Sequence, residues 1–94
     1  MPPSVIHNTA LSRYEVHVDE QMVGFAEYHV AGTAMVLPHT VIDPPMRGRG
    51  LAEVLVRHAL DDARRRDLSV VAECWYVAQF IEANPDYEDL RPTS

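Results

Sequence analysis

From Arg13 to Asp19 apolar and polar side chains alternate, with Tyr14, Val16 and Val18 on one face and Arg13, Glu15, His17 and Asp19 on the other. That two-residue period predicts a half-buried strand. A polar turn, Glu20-Gln21, follows. Residues 22–30 resume an extended pattern rich in Val, Phe and Tyr, Ala31-Gly32 reads as a hairpin turn, and residues 33–37 begin a third strand. A fourth short run, His39-Thr40-Val41-Ile42, comes after Pro38 and stops at Asp43-Pro44-Pro45, where two prolines withdraw backbone donors. These four runs predict an antiparallel meander.

The period then changes. Ala52, Leu55, Val56, Ala59, Leu60 and Ala63 recur at helical spacing, while Glu53, Arg57, Asp61, Arg64 and Arg65 fall off that stripe. The pattern predicts a long amphipathic helix whose arginine-rich end suits the negative pole of its dipole. Val70-Val71, within residues 68–72, reads as a short buried strand lying beside an earlier one after the helix has crossed the sheet. Residues 74–83 are apolar at Val77, Phe80 and Ile81 and predict a short C-terminal helix closed by Asn84-Pro85. The predicted class is α/β (α+β): a four-strand meander, a long helix, a fifth strand parallel to the fourth and a short final helix.

Composition narrows the chemistry. The chain has 94 residues, 47% of them hydrophobic and 23% charged, which predicts one domain spanning residues 1–94. It contains no lysine, so a Gly-Lys-Ser/Thr phosphate loop, a lysine Schiff base and a lysine general base are all excluded. A single cysteine, Cys74, forms neither an internal disulfide nor a cysteine-rich zinc site. Met1-Pro2-Pro3-Ser4 lacks a basic region followed by an apolar run, so the expected compartment is the cytoplasm. No stretch approaches the roughly 20 apolar residues that span a bilayer, and no membrane partner is expected. The five histidines lack metal spacing, and no metal is expected.

Net charge is −6, yet residues 47–66 hold six of the eight arginines against only Glu53, Asp61 and Asp62. A basic patch this local argues against nucleic acid, which needs positive charge along an extended face, and for a small anion. The patch opens on Met46-Arg47-Gly48-Arg49-Gly50-Leu51-Ala52, between the fourth strand and the long helix. Glycines let the backbone turn its amides inward, and the helix start adds unpaired N–H donors and partial positive charge. Arg47 and Arg49 can add charge-assisted bonds or point at water. As Gly-x-Gly before a helix, the loop reads either as a diphosphate site or as an ordinary strand-to-helix turn. The nicotinamide fingerprint fails at Glu53, where a third small residue belongs.

Arg47-Gly48-Arg49-Gly50-Leu51-Ala52 resembles the Arg/Gln-x-x-Gly-x-Gly/Ala signature of the GNAT acyltransferases, with Arg47, Gly50 and Ala52 at the defining positions. More narrowly, the chain resembles the minimal cysteine-containing GNAT-like proteins, through His39-Thr40-Val41-Ile42, the 47–52 loop, Cys74 and Pro85-Asp86-Tyr87. The likeness runs from about Leu11 to Leu90. It implies an acetyl-CoA-binding domain in which amides of Gly48, Arg49, Gly50, Leu51 and Ala52 hold the pyrophosphate and Val41 and Ile42 pair with the pantetheine arm. It also implies an amine acceptor, small or peptide-borne. Three positions depart from the relatives' pattern. Val41 stands where many carry a glutamate that is a candidate general base, and Ala72 and Asn84 stand where they tend to carry proline and histidine.

Cys74 follows the last strand and opens the last helix, where free amides stabilise a thiolate, although Glu73 next to it opposes a second anion. The residue reads either as a small buried hydrophobe or as a functional thiol. As a functional thiol it would take the acetyl group and pass it on, or line a site where an amine attacks acetyl-CoA directly. Glu73, His39, Tyr76 and Tyr87 are the candidate proton-transfer groups, each with an ordinary packing or surface role as its alternative. Trp75 reads as packing or as a substrate platform. The leading expectation is a GNAT-like N-acetyltransferase. A non-catalytic acyl-CoA-binding module and a small interaction domain whose turn binds nothing stay open, as does a homodimer.

Overall fold

The computed structural model describes residues 2–92. Its elements run β1 (Ser4–Asn8), β2 (Arg13–Val18), β3 (Gln21–Ala31), β4 (Ala34–Ile42), a 3-10 turn (Pro44–Met46), α1 (Leu51–Arg65), β5 (Ser69–Ala72), α2 (Trp75–Ala83) and a 3-10 segment (Pro85–Leu90). The strands form one sheet in the order β1-β2-β3-β4-β5. The first four pair antiparallel and β5 lies parallel to β4. No helix among the described residues is long and apolar enough to cross a membrane.

The meander has four strands as expected, but not the same four. Ser4–Asn8 is a strand that the sequence reading passed over, since Ser-Val-Ile-His-Asn is too short to display a period. The two runs split at Pro38 are one strand, β4. The strand survives its proline through a bulge: between the pairs His29↔Val36 and Glu27↔His39, β4 contributes Leu37 and Pro38 against the single Tyr28 of β3. A residue without an N–H is tolerated where ladder pairing is already interrupted. The extra residue also changes which side chains face the helices. Met35 and Leu37 point into the core before it, whereas Thr40, paired with buried Ala26, and Ile42 do so after it.

α1 buries Leu51, Leu55, Val56, Ala59, Leu60 and Ala63, close to the stripe read from the sequence, and packs against all five strands. Fully burying a side chain such as Leu55 or Leu60 contributes about 1.5–3 kcal/mol. Tyr87 and Leu90 of the last segment join the same cluster as Val77, Phe80 and Ile81 of α2. Arg64 near the end of α1 bonds the Asp89 carboxylate at 2.8 Å and the Asp86 carbonyl at 2.7 Å, so it anchors the tail as well as meeting the dipole.

Two carboxylates that the sequence counts among its polar positions are buried. Asp62 on α1 accepts a 2.5 Å bond from the Tyr14 hydroxyl and ion pairs from Arg65 and Arg66. Burial alone would raise its pKa, but the Tyr14 bond, Arg65 and His7 outweigh that and hold it low. The Tyr14 hydroxyl is pushed up by burial and by the same bond. Glu15, on the opposite sheet face, is clasped by Arg13 at 2.8 Å, Asn8 at 3.0 Å and His17 at 3.1 Å. The Arg13 and Asn8 bonds lower its pKa to about 2.

Candidate active site

The parallel pairing of β4 and β5 ends at Leu37↔Ala72. The Cys74 amide still donates to the Leu37 carbonyl at 3.0 Å, and beyond that point α2 turns away while β4 continues to Ile42. The bulge at Leu37-Pro38 bends β4 at this place, so the two chains splay. The gap is a cavity of about 370 Å³ lined by Thr40, Val41, Ile42, Arg47, Ala52, Cys74, Trp75 and Tyr76. Beside it lies a second hollow of about 220 Å³ lined by Met46, Gly48, Gly50 and Leu51, with Ile42, Arg47, Ala52 and Tyr76 common to both. Together they form one trough running from the start of α2 to the start of α1.

The floor at the α1 end is backbone. Gly48 has φ +82° and Gly50 φ +74°, left-handed values that favour glycine, and a Cβ at either would meet nothing within 4 Å. Gly50 caps α1, and the Val54 amide makes the first helical bond, to the Gly50 carbonyl at 3.2 Å. The amides of Leu51, Ala52 and Glu53 lie too early in the helix to have an i−4 acceptor inside it. Among the described residues, those of Gly48, Arg49 and Gly50 make no backbone bond either. The loop therefore leaves a row of free donors at the positive pole of a 15-residue helix, and Gly48, Gly50, Leu51 and Ala52 of that row line the trough.

The two loop arginines diverge. Arg47 lines both parts of the trough, with its Nε donating to the Ile42 carbonyl at 3.2 Å. Arg49 is exposed and lines neither part. Val41, 41% exposed, and Ile42 form the β4 wall.

Cys74 is partly buried at the cap of α2, and its Sγ lies 3.7 Å from Thr40 Oγ1. Of the four candidate proton-transfer residues, only Tyr76 lines the trough. Its phenol is pushed up, first by burial and then by Glu53, so it stays protonated at neutral pH. Tyr87 is committed elsewhere, donating to Asp61 at 2.7 Å and accepting from Arg57 at 3.4 Å. Its ring packs on Phe80. His39 sits one residue from Thr40 and so takes the opposite face of β4, while Glu73 is exposed and outside the lining. Thr40 was passed over in the sequence because plain alternation from Met35 and Leu37 turns it outward. Trp75 is 72% exposed, which sets aside its packing alternative and leaves an indole at the trough's mouth.

Comparison with known proteins matches a family model described as GCN5-related N-acetyl-transferase over residues 13–90. Protein NATD1 of Bos taurus is 39% identical over 59 residues, covering 62% of this chain and 52% of that protein. The chain thus matches about half the length of such curated relatives. Among solved structures, a GCN5-like protein from Staphylococcus aureus superposes with a TM-score of 0.73 at 16% identity, over 97% of this chain and 89% of that one. N-acetylglutamate synthase from Neisseria gonorrhoeae, complexed with coenzyme A and N-acetyl-glutamate, gives 0.59 at 20% identity, over 65% of this chain and 15% of that one. At these identities the structural likeness speaks for the fold.

Proposed function

The chain belongs to the GCN5-related N-acetyltransferases, and from that premise we propose that it transfers an acetyl group from acetyl-CoA to an amine in the trough between β4 and α2. Fold and family support acetyl-CoA-dependent N-acetylation. The observation that carries the reading is the row of free amides at residues 48–53, of which Gly48, Gly50, Leu51 and Ala52 line the same trough that reaches Cys74. In this reading Gly48, Arg49, Gly50, Leu51 and Ala52 hold the diphosphate through their amides, and Arg47 adds charge. Val41 and Ile42 offer the pantetheine arm an extended backbone and an apolar wall. The thioester then lies beside Cys74.

The chemistry follows from what lines that end. Cys74 Sγ takes the acetyl group and hands it to the amine, and Tyr76, a protonated phenol facing the trough, gives its proton to the departing coenzyme thiolate and recovers one from water. The acceptor amine arrives uncharged from solvent. The lining favours an amine borne on an apolar or aromatic group, which Val41 and Trp75 can cover.

A second reading has one observation of its own: among the described residues, no carboxylate or imidazole lines the cavity. That favours an acyl-CoA-binding module without turnover. Calorimetric titration with acetyl-CoA, followed by a coenzyme-release assay over a panel of amines, separates the two. Binding with amine-dependent release that is lost in Cys74→Ala supports the transferase and the relay. Binding without release supports the module, and no binding at millimolar acetyl-CoA overturns both.

A further inference from the structure

We propose that the Thr40 hydroxyl is the positioning group for the Cys74 sulfur, stabilising its thiolate and holding it toward the trough. This rests on the reading of Cys74 as the acyl-accepting residue. The backbone of Cys74 is pinned on both sides: its amide donates to Leu37 at 3.0 Å, and its carbonyl accepts from Ala78 at 3.1 Å. The remaining freedom of Sγ is rotation about one side-chain bond, and Thr40 Oγ1, 3.7 Å away, is the polar side chain that meets it. That separation is a contact for sulfur, whose radius exceeds that of oxygen.

Thr40 is there because of the β4 bulge. Its pairing with Ala26 places it on the helix face, and a β-branched side chain on a strand has little rotamer freedom, so Oγ1 is held in place. Among the described residues the hydroxyl has no other hydrogen-bond partner. It can therefore accept from the thiol and, after a rotation of its own proton, donate to the thiolate. Both ionic moments of the relay use that donation. In the first, Cys74 has lost its proton to water, and the thiolate attacks the thioester carbonyl carbon. The new S–C bond forms as the coenzyme's S–C bond breaks, and the coenzyme leaves as a thiolate that takes up a proton. In the second, the amine nitrogen attacks the acetyl carbon, the C–N bond forms, the Cys74 S–C bond breaks, and the amine's proton returns to the sulfur.

Alkylation of the lone cysteine by iodoacetamide between pH 6 and 9 tests the proposal without requiring turnover. Thr40→Val keeps the shape and removes the hydroxyl, while Thr40→Ser keeps the hydroxyl. We expect Thr40→Val to slow alkylation at pH 7 by about tenfold and Thr40→Ser to stay within about twofold of wild type. Wild-type alkylation in Thr40→Val, or equal slowing in both variants, overturns the proposal. Intact mass after mixing with acetyl-CoA distinguishes the two failures. No acetyl adduct, with alkylation still slowed in Thr40→Val, removes the relay but leaves Thr40 as the group that steadies the thiolate.

Discussion

Replacing Gly50 by glutamate puts a carboxylate at the mouth of the proposed diphosphate cradle. Gly50 holds φ 74° and ψ 14° at the cap of α1, and a Cβ there meets no atom within 4 Å. The cost to folding is then the left-handed backbone alone, about 1 kcal/mol, or about 4–8 °C of melting temperature for a domain of this size. A carboxylate about 4–6 Å from a phosphate oxygen opposes it by roughly 3–4 kcal/mol at an effective dielectric near 20, which weakens binding by about 10²–10³-fold. Gly50→Ala shares the backbone cost without the charge, so the pair of variants separates strain from electrostatics. Differential scanning fluorimetry with CoA, supported by calorimetry, reads both quantities. Wild type at 100 times its dissociation constant gains about 2.7 kcal/mol. Gly50→Ala should keep most of that gain and Gly50→Glu should lose it. Equal CoA affinity in wild type and Gly50→Glu would refute the cradle, whatever the melting temperatures.

Glu15 should make folding sensitive to acid. Its carboxyl titrates near 2 when folded against about 4.5 otherwise, so its contribution, of order 3 kcal/mol, is present above pH 4.5 and drains away as pH falls toward 2. Urea unfolding of wild type and Glu15→Gln at pH 6 and pH 2.5 should show their stability gap closing at the lower pH; a constant gap contradicts the linkage. Gly24→Ala drives a methyl to 2.7 Å from the Val41 carbonyl and 2.6 Å from Ile42 Cδ1, and should cost about 1–3 kcal/mol in thermal unfolding. An unchanged melting temperature would show that β3 and β4 can part without penalty. Trp75 is the chain's single tryptophan and 72% exposed at the trough, so saturating CoA with a bound amine should shift its emission to shorter wavelength. An unmoved spectrum under conditions where calorimetry shows saturation would place the ligand elsewhere.

The order of elements, the amphipathic stripe of α1 and the glycine turn ahead of it were legible in the chain because each is a local matter. Side-chain period, proline's missing donor and glycine's freedom at positive φ act over a few residues and leave a linear trace. The parallel pairing of β5 with β4 was legible too, since a helix that crosses the sheet returns the chain in the same direction. What the chain hid was parity. Met35 and Leu37 imply that His39 and Val41 continue inward, and only the pairing of β4 with β3 reveals the extra residue that sends Thr40 and Ile42 there instead. The same limit concealed Asp62 and Glu15, whose burial depends on partners such as Tyr14, 48 residues away, and the hydrogen bonds they supply.

Sequence by itself determined that this is a single mixed sheet under an amphipathic helix, with a bare-backbone turn at the helix's positive end, because hydrophobic period and backbone sterics are written residue by residue. Tertiary structure alone decided which side chains share the trough. Tyr87 is bound to Asp61 outside it, while Cys74 meets a threonine 34 positions earlier. Such meetings depend on register and bulge, which are properties of paired strands rather than of either strand alone.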